Sequence, residues 1–400
     1  MPESNEPREP RSRGPLVEAA ARIAGEVAAK HADAVDKEGR FPFEAMRALQ
    51  EAKLLSALVP EELGGSGCDI WDLHGMCLVL GEQCANTAMV FAMHQIQVAC
   101  LVRHGLAVPA LRRFLEEEVV GRQAVLASAT TEVNIGGDVR SSICAVEPDG
   151  ARFRVRKQAP VISYADEADA ILVTARRTPE SSPGDQVIVL CRKGRDGSAG
   201  DVALEKTQHW DALGFRGTCS HGYVLNASIP AEQILPAPYA EISAQTMLPT
   251  AHVVWTSLWL GIAQSAVNQA RAFIRAEARK KPGVVPPASL RLAETVAVLQ
   301  GLKSNVVSCA REYQRLAHDA DALSSMGFAL RMNNVKLQVS EAVVDIVGRA
   351  LRICGIAGYK QDSKFTLGRH LRDAWGAQLM VNNDRIYGAN AQMLLVHKDE

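Results

Sequence analysis

What most constrains this chain is a change of hydrophobic period near residue 125 and its reversal near residue 238. Before the first point apolar residues recur at helical spacing: Leu16, Ala20, Ile23 and Val27 share one face of a first helix. Pro42 opens a second carrying Phe43, Met46 and Leu49, and Pro60 with Gly64-Gly65-Ser66-Gly67 forms a loop. Asn86 to His104 and Pro109 to Val120 read as further helices, stopped by Gly105 and Gly121. Beyond 125, Ala151 to Arg156 alternates as a half-buried strand does. Segments 170–174, 186–190 and 222–225 are rich in β-branched residues and bounded by Gly, Asp or Pro. After Pro238 helices return, interrupted at Pro282–Pro287 and Gly355–Gly358.

Helices segregated from a β-module predict an α+β architecture, not a doubly wound sheet. The expected organisation is a polar tail over 1–14, a helical domain over 15–125, a β-domain over 126–236 and a helical bundle over 237–400. No G-x-G-x-x-G follows a strand, and no phosphate-binding G-x-x-x-x-G-K-[ST] is present. A formal net charge of −1 argues against nucleic acid or an acidic membrane face as partner. The nine cysteines form no C-x-x-C pair and no zinc-like cluster; apolar surroundings suit reduced core thiols in a cytoplasm. The first 14 residues read as a tail and not as a signal peptide.

Local motifs in this order add a resemblance. Leu58-Val-Pro-Glu-Glu-Leu-Gly-Gly65 is similar to a V-P-E-x-x-G-G segment, and Thr131-Glu132 with Gly136-Gly137-Asp138 to a T-E-P-G-x-G-S-D loop. Trp210 to Thr218 resembles W-x-x-L-G-x-R-G-T, Ile229-Pro230 a closing V-P, Gly261-Ile-Ala-Gln264 a G-x-A-x helix, and Leu371-Arg-Asp-Ala374 a late R-D-A. Together they resemble the acyl-CoA dehydrogenase family. The resemblance implies an N-terminal helical domain, a middle β-barrel domain and a C-terminal four-helix bundle. The cysteine spacing, read by itself, predicts no structural metal, and the resemblance further implies FAD as cofactor and a homotetramer or homodimer. Its substrates are acyl-CoA or acyl-carrier-bound compounds, with an electron-transferring flavoprotein or O₂ as acceptor.

Carried over residue by residue, the resemblance places Thr130, Thr131 and Ser163 beside the flavin ring. Arg279 falls where the family binds the pyrophosphate across a subunit interface, with Lys280 and Lys281 adding charge. Arg352, Gly355 and Gly358 match a glycine turn against the dinucleotide, Asn383 lies close to the family's flavin contacts, and Arg385 stands in for a cofactor-binding glutamine. Each also has an ordinary structural reading: strand hydroxyls, a solvated basic helix end, a helix C-cap.

The expected base is missing. Counting seven residues past Ala374 lands on Val381, and the alternative position on the G-x-A-x helix is Ala251, followed by His252. Neither Val nor Ala takes a proton. Val161 and Ser163 depart from the family's tryptophan and threonine beside the ring. The remaining titratable candidates are His94, His252 and Asp384; an imidazole is a natural base near neutral pH. Against this, the residues favour reading His94 and His252 as satisfied core histidines, and Asp384 as a structural carboxylate paired with Arg385. Three functions stay open: FAD-dependent oxidation of an acyl thioester with a relocated base, a flavin-dependent oxygenase or oxidase, and a non-catalytic flavin or acyl-CoA binder.

Overall fold

A computed structural model describes residues 14–136, 138–194 and 200–398. Gly137 of the T-E loop and the tail before Gly14 lie outside the described residues. The N-terminal part contains α1 (Pro15–Ile23), α2 (Ala29–Glu38), α3 (Phe43–Glu51), α4 (Ile70–Gln83), α5 (Ala85–Gly105) and α6 (Pro109–Phe114). Pro15 and Pro109 sit in first turns, where no backbone donor is missed. Gly39 ends α2 at φ +60°, the left-handed conformation glycine adopts without strain. Asp69 caps α4 by accepting the amide of Asp72.

Helix α5 is long and apolar enough to span a bilayer by length and composition, but 83% of its apolar window is buried in the protein. It is a core helix.

Seven strands follow: β1 (Leu126–Ala129), β2 (Val146–Asp149), β3 (Arg152–Ile162), β4 (Ala170–Arg176), β5 (Gln186–Arg192), β6 (Val202–Gln208) and β7 (His221–Ile229). They form a three-stranded sheet, β1-β4-β5, and a four-stranded one, β2-β3-β7-β6. Strand β1 runs parallel to β4 with Leu126 opposite Ala170; every other pairing is antiparallel. Strands β4 and β5 are buried along nearly their whole length, as their unbroken apolar runs require.

The chain then returns to helices α7 (Tyr239–Ile242), α8 (Leu248–Lys280), α9 (Ser289–Leu316), α10 (Ala320–Leu323), α11 (Met326–Cys354), α12 (Ile356–Tyr359), α13 (Gly368–Leu379) and α14 (Asn383–Leu394). Helix α8 is the axis of the molecule, packed between α4 and α11. Two glycines allow its close approach to α4. A Cβ on Gly81 would lie 2.4 Å from Leu258 O, and one on Gly261 would lie 2.5 Å from Leu78 O. Backbone cannot give way as a flexible side chain can. Gly261→Ala is therefore expected to lower stability by about 1–3 kcal/mol, read as a lower denaturation midpoint; an unchanged midpoint would contradict this crossing.

Candidate functional site

The W-x-x-L-G-x-R-G-T and R-D-A motifs meet each other. Asp373 Oδ1 accepts the amide of Phe215 at 2.7 Å, and Trp210 Nε1 donates to Phe215 O at 2.9 Å. Gly217 N donates to Asn86 Oδ1, Arg216 donates to Asp36 O, and Arg372 pairs with the carboxylate of Asp36. Phe215 and Cys219 are non-glycine residues at positive φ, held so by this network. A Cβ on Gly214 would overlap Arg372 O, and one on Gly217 would overlap Val35. These motifs therefore lock the N-terminal helices, the sheets and α13 at one junction. Burial pushes the Asp373 carboxyl up to about 6.

This junction presents a polar line on the β side. Ser163 Oγ lies 2.8 Å from Ser220 Oγ, which lies 2.8 Å from Thr218 Oγ1, which donates to Phe215 O at 2.8 Å. Each hydroxyl has one proton. Since Thr218 gives its proton to a carbonyl, Ser220 must donate to Thr218 and Ser163 to Ser220. Ser163 is left facing outward with lone pairs only.

Beside it runs the loop after β1. Thr130 and Thr131 are half-buried, and Thr131 Oγ1 donates to Val161 O at 3.0 Å. Buried Glu132 anchors the loop by accepting Ser142 Oγ, Cys144 N and Ile143 N within 3.1 Å. Its partner is Lys157, 3.6 Å away and fully buried, which also donates to Thr174 O. Asn134 and Gly136 take positive φ, curling the loop toward α14. There the Arg385 guanidinium lies 3.7 Å from where a Cβ on Gly136 would be. The loop thus runs from Val161, two residues before Ser163, to Arg385 in the first turn of α14.

The structure removes one sequence-predicted assignment. His94 is buried with both ring nitrogens engaged: Nε2 donates to Leu55 O at 2.8 Å and Nδ1 accepts Leu126 N at 3.0 Å. Burial lowers its pKa to about 4, and it tethers α5 to β1. It is no base. Asn383 is also buried, and its side-chain amide is bonded to Lys336 and Ser340 within the bundle. Asp384 is exposed in the first turn of α14, where a carboxylate complements the helix dipole; no ion pair joins it to Arg385 among the described residues.

His252 is different. Its Nδ1 lies 3.0 Å from Met332 O, an acceptor, so Nδ1 carries the proton and Nε2 is a buried lone pair without a partner. Burial, and then the charge of Lys336, lower its pKa to about 3. Arg279 and Arg352 are exposed, at the ends of α8 and α11. From His252 to Arg279 is 27 residues of helix, about 40 Å at 1.5 Å per residue. Gly355 turns the chain at φ +57°, while Gly358 packs on Cys354.

Sequence reasoning missed Lys336. It sits within the apolar stripe Met332, Val335, Val339 and Val343 of α11, where a fully buried lysine is an anomaly in the pattern.

Half-buried hydroxyls and a curled loop are chemically compatible with the polar edge of a flavin ring, and exposed arginines with its phosphates. Residues 14–108 match the N-terminal domain model of acyl-CoA dehydrogenases, and residues 243–380 match the C-terminal one. The chain belongs to the acyl-CoA dehydrogenase family, whose members are flavin-dependent oxidoreductases. Similar relatives include a probable acyl-CoA dehydrogenase fadE25 of Mycobacterium bovis, 23% identical over 91% of this chain and 90% of that protein. The amino sugar nitrososynthase DnmZ of Streptomyces peucetius is 25% identical, over 84% of this chain and 82% of that protein. Among solved structures, FMN-bound TdsC from Paenibacillus sp. A11-2 superposes with a TM-score of 0.83 at 19% identity, covering 97% of this chain and 98% of that one.

Proposed function

We propose that this chain is a flavin-dependent oxygenase or oxidase on the acyl-CoA dehydrogenase fold, not an α,β-dehydrogenase of acyl thioesters. One observation carries the reading: neither position at which the resemblance places the base holds a carboxylate, and Glu132 beside Thr131 is spent on Ser142, Ile143 and Cys144. Val381 occupies the expected position, Ala251 the alternative, and Asp384 points to solvent in a helix first turn. Removal of an α-proton requires a group able to hold it at neutral pH. The relatives' names do not decide the matter, since one is a dehydrogenase and another a nitrososynthase.

Bound flavin supplies the electron exchange. The protein's part is orientation: Ser163, pinned as an acceptor by Ser220 and Thr218, would receive a donor of the flavin, and Arg385 and the loop over Thr131 would help to hold it. Arg279 and Arg352, distant from the hydroxyl line, hold the phosphates of FAD for a neighbouring subunit. This makes the protein a homodimer or homotetramer. Exposed apolar residues on the bundle support that assembly, including Trp375 at 45% and Leu395 at 84% exposure, as does a cleft of about 730 Å³ between α9 and α11. Eight buried free thiols suit a reducing compartment such as the cytoplasm.

A second reading, dehydrogenation with a relocated base, draws on the unpaired Nε2 of His252. Burial, and then the charge of Lys336, disfavour a proton on that nitrogen, so it would hold an abstracted proton poorly. The test is re-oxidation. Flavin-loaded protein reduced by light should return to the yellow form within seconds of mixing with air. A reduced form that survives aeration for minutes and discharges only to an electron-transferring flavoprotein would support the dehydrogenase instead.

A further inference from the structure

The turn joining α13 to α14 contains a strained backbone residue. Val381 has φ +44°, a left-handed conformation that crowds a β-branched side chain and persists only where surroundings enforce it. What enforces it lies underneath. The ammonium of Lys336 donates to Val381 O at 2.8 Å and to Asn383 Oδ1 at 2.6 Å. Asn383 is held in turn by Ser340 Oγ at 3.1 Å and Glu341 Oε1 at 3.3 Å, and Glu341 receives the Tyr387 hydroxyl at 2.7 Å. Lys336 is fully buried, 5.9 Å from the centre of the Trp259 ring; no carboxylate lies within 4 Å of it among the described residues, and the charge of Glu341 reaches it only from beyond that distance. The imidazole beside it is neutral, its proton committed to Met332 O.

A buried cation without an ion-pair partner is expensive, and replacing such groups by well-packed apolar ones is often neutral or stabilising. A lysine that only filled space in α11 would be better as methionine. We propose that Lys336 is instead a positioning residue, clasping the 380–383 turn from below and fixing the surface it presents to the bound cofactor and substrate. Two of its three N–H groups are spent on the two ends of this turn, which a neutral or shorter side chain cannot reproduce. Placement of the turn at the centre rests on the function proposed above; the clasp itself does not.

Deuterium exchange of the full-length, flavin-loaded protein separates the two. The amides of Asp384, Arg385 and Ile386 bond to Asn382 and report the turn. In Lys336→Met their exchange is expected to rise tenfold or more, while Lys336→Arg, which keeps two donors, stays within about threefold of native. Adding Val381→Gly to Lys336→Met should restore most of the protection, since glycine takes this φ unaided. Retention of flavin should fall about tenfold in Lys336→Met and recover in the arginine variant. Unchanged exchange in Lys336→Met overturns the clasp, and so does equally fast exchange in Lys336→Arg. Faster exchange with undiminished flavin affinity overturns the placement at the centre. Should the methionine variant not fold, the double variant decides: adding Val381→Gly must let it fold, and a double variant that still fails removes the proposal.

Discussion

Asp373→Ala is expected to lower the stability of the protein by about 3 kcal/mol, the loss attending a buried amide stripped of a carboxylate partner. The amide is that of Phe215, 2.7 Å from Asp373 Oδ1, in a loop whose other contacts reach α2, α5 and α13. Because three parts of the chain meet there, unfolding should stay cooperative and shift as a whole. The carboxyl also makes stability depend on pH. Its folded pKa, about 6, lies above the unfolded value of 3.8, so between these values the native state binds more protons than the unfolded one. Asp373 therefore stabilises fully below about pH 4 and loses this contribution as pH rises through 6. A separation of about two pH units corresponds to about 3 kcal/mol. Asp373→Asn, which keeps an acceptor for Phe215 N, should flatten that slope. Denaturant titrations at about pH 4.5 and about pH 7.5, on either side of the folded pKa, measure it. An equal slope in the variant would place the titration elsewhere.

The second large effect is on chemistry. Val381 is half-buried, so a longer acidic side chain at this position has a route to solvent, and Val381→Glu should fold. If the turn borders the centre, the new carboxylate supplies a proton acceptor where none stands now. Reduction of bound flavin by octanoyl-CoA without oxygen should then run roughly 10² to 10⁴ times faster than in the native protein, the span of general-base catalysis. An insoluble variant would mean Val381 is packed in a dry core. A soluble one with no gain would mean the turn does not face substrate.

Much of the fold was legible because its signals are local. The period of Leu16, Ala20 and Ile23 yields α1, the apolar runs at 170 and 186 yield β4 and β5, and Gly105 ends α5 as expected. Strands β1, β2 and β6 escaped because they carry little pattern: β1 has only four residues, β2 has four including Pro148, and β6 is an exposed edge strand carrying Glu205 and Lys206. The parallel pairing of β1 with β4 joins segments 44 residues apart, which no local signal encodes.

The site was legible as motifs and not as roles. Asp373 and Arg372 matched a pattern, but only the structure shows that they tie Phe215 and Asp36. His94 looked like a base because an imidazole on a long helix can be one; its two partners, Leu55 O and Leu126 N, are remote in sequence. Lys336 was passed over for the opposite reason. A lysine in a helix ordinarily means solvent, and its burial is visible only once α11 is packed against α8 and the turn after α13.

The central claim is that this family member has lost the means to take an α-proton. It is tested most directly by anaerobic titration of the native, flavin-loaded protein with butyryl-, octanoyl-, palmitoyl- and isovaleryl-CoA, following the flavin absorbance. The account predicts that the yellow colour persists with all four and that no enoyl-CoA forms. Bleaching by any of them, with one enoyl-CoA released per flavin reduced, would contradict it.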